Sequence, residues 1–303
     1  MSHEFLQSSK IKFTSLSVDS RFADQNYGSI PDTTDFQIRL PETIKNVMRI
    51  RLSSVEIPPV EYTFSDDKKN CSGIIVDSAG TRGFSIPPGN YTLATLAAAV
   101  DTALGSGYTC AYDPVSQRIV ITKTSGEFTL QLGASDQSIC SRKSHWGLGY
   151  YLGFRAPYAP VDASGNPVAP VVMRTIKSVS SVATGYAAPI VTPTAYYLLQ
   201  LSCPDLLDSV RHRLPGNSEI PVFAKIILQT GGNGVDIDNN HNEVWKEYTF
   251  LAPTNISQFR IRLLDPFGVP VRLNTSDWSM TFELTEIVNS RTYEALNKTY
   301  SGP

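Results

Sequence analysis

Apolar residues recurring at every second position over short segments are the feature that most limits what this chain can fold into. Phe36, Ile38 and Leu40 alternate with Asp35, Gln37 and Arg39; Met48, Ile50 and Leu52 alternate with Arg49 and Arg51. Near the C-terminus, Trp278, Met280, Phe282 and Leu284 alternate with Ser279, Thr281 and Glu283. Successive side chains of a strand point to opposite faces, so each segment is a strand with one dry and one wet face. Strands of that kind belong to antiparallel sandwiches or barrels. Residues 35–59 read as two such strands joined by a connector containing Pro41. At Ser53-Ser54 the apolar parity passes from even positions to Val55 and Ile57, as a bulge or a strand bending between sheets requires.

The same period returns after residue 195 in six segments: "AYYLLQLS", "IPVFAKIILQ", "EVWKEYTF", "ISQFRIRLLD", "VPVRLN" and "WSMTFELTEIV". Added to the two segments at 35–57, they make eight strands, the number a jelly roll uses. The stretch between mixes periods. "GIIVDS" and "RGFSIPPGNYT" suggest a hairpin. Thr92 as N-cap, Leu93, Leu96, Val100 and Leu104 at helical spacing, and Gly105 as the stop predict one helix. "YTCAYD", "QRIVITK" and "EFTLQL" predict further strands, and "HWGLGYYLGF" a short helix or turn. The expected fold is mainly β: a single jelly-roll β-sandwich with an inserted small α+β subdomain. The expected divisions are an N-terminal arm and first strand at 1–34, a core from 35–59 and 195–290, the insertion at 60–155, an extended Pro/Ala/Val-rich segment at 156–194, and a tail at 291–303. The apolar valines of that segment suggest that it lies against a neighbouring surface.

Bulk properties restrict function. A chain of 303 residues with 41 % hydrophobic content has enough apolar material for a buried core. Twenty glycines and twenty prolines favour many short strands and turns. A formal charge of -2 and a pI near 6.1 give no global basic field for nucleic acid. The N-terminal "MSHEFLQSSKIKF" has no secretory apolar run, and no stretch reaches the roughly 20 apolar residues of a membrane span. A protein made in the cytosol without a membrane span is expected, and its five sequons, at Asn70, Asn90, Asn255, Asn274 and Asn297, read as chance matches.

Searching for chemistry finds little. Cys71, Cys110, Cys140 and Cys203 form no CxxC and read as reduced, buried thiols. Asp236, Asp238, Asn240 and Glu243 in "GGNGVDIDNNHNE" offer oxygen ligands but miss the EF-hand spacing, so a polar turn is the better reading. His3, His145, His212 and His241 lack metal or nucleophile spacing. Asp66-Asp67 and Asp205 with Asp208 are carboxylate pairs of the sort a glycosidase needs, in settings that look like solvated turns. No catalytic, cofactor-binding or metal-binding residue is assigned, and no enzyme is expected.

Several dissimilar blocks in order carry a resemblance: "SVDSRF", "DFQIRLPETIKNVMRIRLSSVEIPPVEYTF", "IPPGNYTLATLAAAV" and "FRIRLLDPFGVPVRLNTSDWSMTFEL". With them the chain resembles structural proteins in the virions of large icosahedral double-stranded DNA viruses, the nucleocytoplasmic large DNA viruses. The resemblance covers the first 105 residues and about 195–288. It implies a jelly-roll capsid protein: the penton of fivefold vertices, a homopentamer contacting the major capsid protein and other minor capsid proteins, located in the virion after synthesis in host cytoplasm. The alternative is a minor capsid protein beneath the major shell. Arg39, Arg49, Arg51 and Glu56 would then face solvent, a loop or a neighbouring subunit. A rival from another class is a jelly-roll glycan-binding or host-attachment module, for which Tyr62, Tyr91, Tyr196, Tyr197 or Trp245 could supply the aromatic platform.

Overall fold

The computed structural model describes residues 11–26, 33–133, 147–155, 175–192, 194–203, 211–213, 219–228, 236–238, 246–266 and 268–288. They divide into two compact units. The first opens with β1 (Ile11–Asp19), β2 (Gln25–Asn26) and β3 (Asp35–Ile57). The second supplies β4 (Ser72–Asp77), β5 (Gly80–Ser85), helix α1 (Leu93–Leu104), β6 (Tyr108–Asp113), β7 (Arg118–Lys123), β8 (Phe128–Gln131), helix α2 (Gly147–Tyr151), β9 (Thr175–Lys177) and β10 (Val182–Thr184). The chain then returns to the first unit for β11 (Tyr196–Ser202), β12 (Arg211–Arg213), β13 (Glu219–Pro221), β14 (Ala224–Ile227), β15 (Asp236–Asp238), β16 (Glu247–Leu264) and β17 (Ser279–Ile287). The fold is mainly β, a jelly-roll β-sandwich with an inserted α+β unit.

In the first unit the strands pair antiparallel in the order β1-β17-β3-β16-β11-β14, and β2 and β15 also pair with β3. Residues 35–57 are one strand rather than two joined at Pro41. The pairing explains how a proline is accommodated. Arg39 stands opposite Gln258 and Ile44 opposite Ile256, so Pro41 falls where the ladder is interrupted and its missing N–H leaves no partner unsatisfied. The parity change at Ser53-Ser54 is a bulge. Thr281 pairs with Ser54 but Phe282 with Leu52, leaving Ser53 extra. A second bulge at Met48, between Val47 opposite Glu286 and Arg49 opposite Thr285, moves the inward row to Val47, Ile50, Leu52, Val55 and Ile57. Met48 is only partly buried, so its expected place in that row passes to Val47.

The count of eight strands also changes in its parts. "EVWKEYTF" and "ISQFRIRLLD" contribute to one bent strand, β16, whereas "VPVRLN" forms no strand and buries Val271 and Leu273 from a loop. β1 takes its place beside β17. Long strands that bend at bulges do the work the sequence assigned to separate strands. Side chains from both ends of β3, Phe36 and Val55 among them, enter one core cluster, which requires the sheet to curl over its own inner face. Phe282 sits in that core, stacked on Phe259 at 6.0 Å and edge-on to Phe223 at 5.9 Å. Each such buried side chain contributes about 1.5–3 kcal/mol.

The second unit has its own core. Its strands form a four-stranded sheet, β5-β4-β8-β9, and a three-stranded one, β10-β7-β6. α1 begins at Thr92, whose hydroxyl accepts from the Thr95 N–H while the Thr95 hydroxyl accepts from the Thr92 N–H, a reciprocal cap. It buries Leu96, Val100 and Leu104 fully and ends at Gly105, whose φ of 74° suits glycine. Residues 175–192, expected within an extended segment, instead contribute β9 and β10, which pair with β8 and β7. Ile176 and Ala183 are buried in this core and Val191 packs against it, whereas Val179 is 76 % exposed. The rest of that segment, 156–174, and the tail from 289 lie outside the described residues.

Candidate functional site

The wet face of the first sheet is a set of cross-strand pairs. Arg260 grips Asp35 with two bonds of 2.9 and 3.0 Å, and Arg262 reaches the same carboxylate at 3.2 Å. Gln37 donates to Gln258 at 3.0 Å, and Arg262 to Gln200 at 2.9 Å. Further along β3, Arg49 lies 3.7 Å from both Glu247 and Glu283, on the strands either side. Partly exposed pairs of this sort contribute about 0.2–1 kcal/mol each and set register more than stability. Arg51 and Glu56 are exposed, as is Arg39, whose backbone N–H donates to Asp24.

One crevice of about 440 Å³ opens at the end of this sheet. "SVDSRF" and "TSDWSM", more than 250 residues apart in the sequence, meet there. The Ser20 N–H donates to the Trp278 carbonyl at 3.0 Å, the Trp278 N–H donates to Ser20 Oγ at 3.1 Å, and Ser20 Oγ donates to Asp277 at 3.0 Å. The Trp278 indole N–H donates to the Thr33 carbonyl at 2.8 Å, so the ring is a fixed wall. Asp19 caps the short 3-10 turn at Ser20–Phe22 and takes Arg21 in a bidentate pair. The Arg21 hydrogen bond holds the Asp19 carboxyl below the usual range. Glu56 accepts from Ser279 at 2.7 Å, and Pro58 completes the lining. The crevice thus has three carboxylates against one guanidinium, with apolar surface alongside. Sequence reasoning singled out Glu56 alone among these residues, as facing solvent, a loop or a neighbouring subunit; for the others the signal was that both blocks carry the family resemblance.

In the second unit the Tyr108 hydroxyl donates to Asp77 at 2.6 Å, and Lys123 reaches the same carboxylate at 3.1 Å. The Tyr108 bond, the Ala79 N–H and Lys123 together bring the Asp77 carboxyl down to about 2, and burial with the Asp77 bond pushes Tyr108 up to about 12. This ties the β4–β5 hairpin to β6 and β7. A cleft of about 620 Å³ lies over β4 and β5, lined by Asp66, Lys69, Cys71 and Ile74 among others. Burial pushes Cys71 up to about 11 and Cys110 up to about 12, so both are protonated, unreactive thiols at neutral pH. Both are free thiols, whereas Cys203, expected to be buried, is only partly so.

No family model matches the chain, and no curated protein sequence is similar to it. In structure the chain is similar to the selenomethionine-labelled mavirus penton protein, with a TM-score of 0.46 and 12 % identity, over 90 % of this chain and 99 % of that one.

Of the aromatic residues considered for glycan binding, Tyr196 and Tyr197 belong to the first unit and Tyr62 and Tyr91 to the second. Tyr196 lies under the Lys225 ammonium, 3.9 Å from the ring centre, while Tyr197 is buried and donates to Glu61 at 2.7 Å. Tyr91, in the second unit, packs edge-on to Phe64 and donates to the Pro87 carbonyl; Tyr62 of that unit is partly exposed. Asp66 and Asp67 sit on a turn in which the Lys69 N–H donates to the Asp66 carbonyl. Asp236 and Asp238 belong to β15 rather than to a turn, paired with Ile57 and Val55. His212 is on β12. Trp245, His3, His145, His241, Asp205, Asp208, Asn240, Glu243 and Cys140 lie outside the described residues. Asn70 is fully buried, its amide spanning Thr63 and Ser65, which closes that sequon to modification in the folded chain. Among the described residues no group of three or more His, Cys, Asp or Glu could hold a metal ion, and no helix is long and apolar enough to cross a membrane.

Proposed function

We propose that this chain is a structural protein of the capsid of a large icosahedral double-stranded DNA virus, and within that class the penton of the fivefold vertices. One observation carries the reading. Three of the four sequence blocks that resemble this family lie on β1, β3, β16 and β17, strands hydrogen-bonded to their neighbours in one curled sheet, so most of the resemblance follows the framework of a single sandwich; the fourth, residues 86–100, runs into α1 of the inserted unit. The dry side of that sheet fills a core and its wet side carries ion pairs, an arrangement suited to holding neighbours and not to enclosing a substrate. A sandwich with one inserted unit suits a fivefold wedge, by analogy with the family. Its partners in this reading are four further copies, the major capsid protein and other minor capsid proteins.

Cryo-electron microscopy of the virion tests the reading. Density for this chain at the fivefold axes is the expected result. Density only beneath the major shell would overturn the penton role in favour of a minor capsid protein, and absence from the capsid, with selective binding on a glycan array, would replace both with attachment.

A further inference from the structure

β1 forms one edge of the first sheet among the described residues, and its opening residues put apolar side chains on the wet side. Leu16 and Val18 belong to the core, so Ile11 and Phe13, of the opposite parity, point outward. Ile287 stands opposite Ile11 and Thr285 opposite Phe13, which places them on that same side, where Arg49 reaches the Thr285 hydroxyl at 3.4 Å. Phe13 is 61 % exposed, and Ile11 and Ile287 are partly exposed. Val288, the last described residue, is 57 % exposed. Further along the strand the outward positions are Ser15 and Ser17, so the apolar patch is confined to the end of the sheet at which residues 289–303 begin.

The sequence that leaves from this point, "NSRTYEALNKTYSGP", carries the pattern of an amphipathic helix. Ser290 is an N-cap, Tyr293, Leu296 and Tyr300 recur at i, i+3 and i+7, Glu294 and Lys298 are an i,i+4 pair, and Gly302 with Pro303 is a stop. A helix of this length is marginal in water and takes its stability from burying its apolar stripe. The four residues between Val288 and Tyr293 span at most about 14 Å, so the first exposed apolar surface within reach is the patch itself. We propose that residues 289–303 dock on the wet side at the start of β1 of the same chain, Tyr293, Leu296 and Tyr300 covering Ile11, Phe13 and Ile287. A tyrosine presents an apolar ring with a polar tip, which matches a patch rimmed by Ser15, Thr285 and Arg49. The N-terminal residues 1–10 match it less well, because their large apolar residues Phe5 and Leu6 are adjacent and point to different sides. A short tether makes the docking intramolecular at a millimolar effective concentration, which favours the chain's own tail over that of another copy. The docking stands apart from the capsid role.

The test is hydrogen exchange of the full chain, read by mass spectrometry on peptides covering residues 290–301. Wild type should exchange there about tenfold or more slowly than a free chain, and Phe13→Asp and Leu296→Asp should each remove that protection. The two changes together should add nothing further, because both break the same contact. Lys298→Gln, on the opposite side of the helix pattern, should leave protection within about threefold of wild type. Phe13 is exposed, so exchange in β3 and β16 should not change. Should Phe13→Asp loosen β1 itself, Phe13→Ser replaces it under the same expectation. Protection should be equal at about 1 and 100 µM protein; its loss on dilution would overturn docking within one chain and give the patch to the tail of another copy. Residues 290–301 exchanging at the free-chain rate in wild type, or protected and unaffected by the Phe13 variants, would overturn the docking. The virion location is decided separately, by microscopy.

Discussion

The Tyr108 hydroxyl donates to Asp77 Oδ2 at 2.6 Å, joining the end of β4 to the start of β6. The Asp77 carboxyl is held at about 2, below its value in the unfolded chain, so its contribution to stability is fully present above about pH 4 and is lost as pH falls toward 2. Tyr108 is held at about 12, so the stability linked to its neutral form is present below about pH 10 and lost as pH rises toward 12. Tyr108→Phe should therefore flatten both limbs of the stability profile, measured as melting temperature against pH. Identical wild-type and variant profiles would show that the bond does not couple to folding.

Phe282 is fully buried between Phe259 and Phe223. Phe282→Ala should cost about 3–5 kcal/mol, the lost transfer energy together with the cavity it leaves. Phe282→Asp should be worse, because an unpaired charge would occupy the core. Urea denaturation of both variants checks this; an unchanged midpoint would mean that the inner face of β17 is misassigned.

Gly153 has φ of 86°, and a Cβ there would lie 2.0 Å from the Ala187 carbonyl oxygen. Its own carbonyl accepts from the N–H groups of Tyr186 and Ala187 at 2.9 and 3.0 Å. Gly153→Ala should thus cost about 2 kcal/mol or more and loosen the segment that follows β10. Faster hydrogen exchange at residues 182–190 is the expected readout, with β16 and β17 unaffected.

How far the sequence reached can be seen strand by strand. The alternation located β3, β11, β16 and β17, and the change of parity located the Ser53 bulge, because a period of two leaves a record of which face each residue occupies. It did not show that residues 35–57 are one strand. Proline is a local signal against pairing, and only the neighbour's register reveals that Pro41 falls in an interruption of the ladder. The Pro/Ala/Val composition of 156–194 reads as an extended segment and hides the strands within 175–192, because a strand of three residues is too short to display a period.

By itself the sequence determined the class of fold, the wet and dry faces of the long strands, and the cap and stop of α1, all of which depend on residues close together along the chain. The tertiary structure decided which strands are neighbours, where Arg49 finds Glu247 and Glu283, and that Ser20 meets Trp278. It also decided that the start of β1 carries an exposed Phe13 and one crevice an excess of carboxylates. Pairing across more than 200 residues is selected by total burial and by the satisfaction of every ladder bond at once, quantities that no local stretch of sequence records.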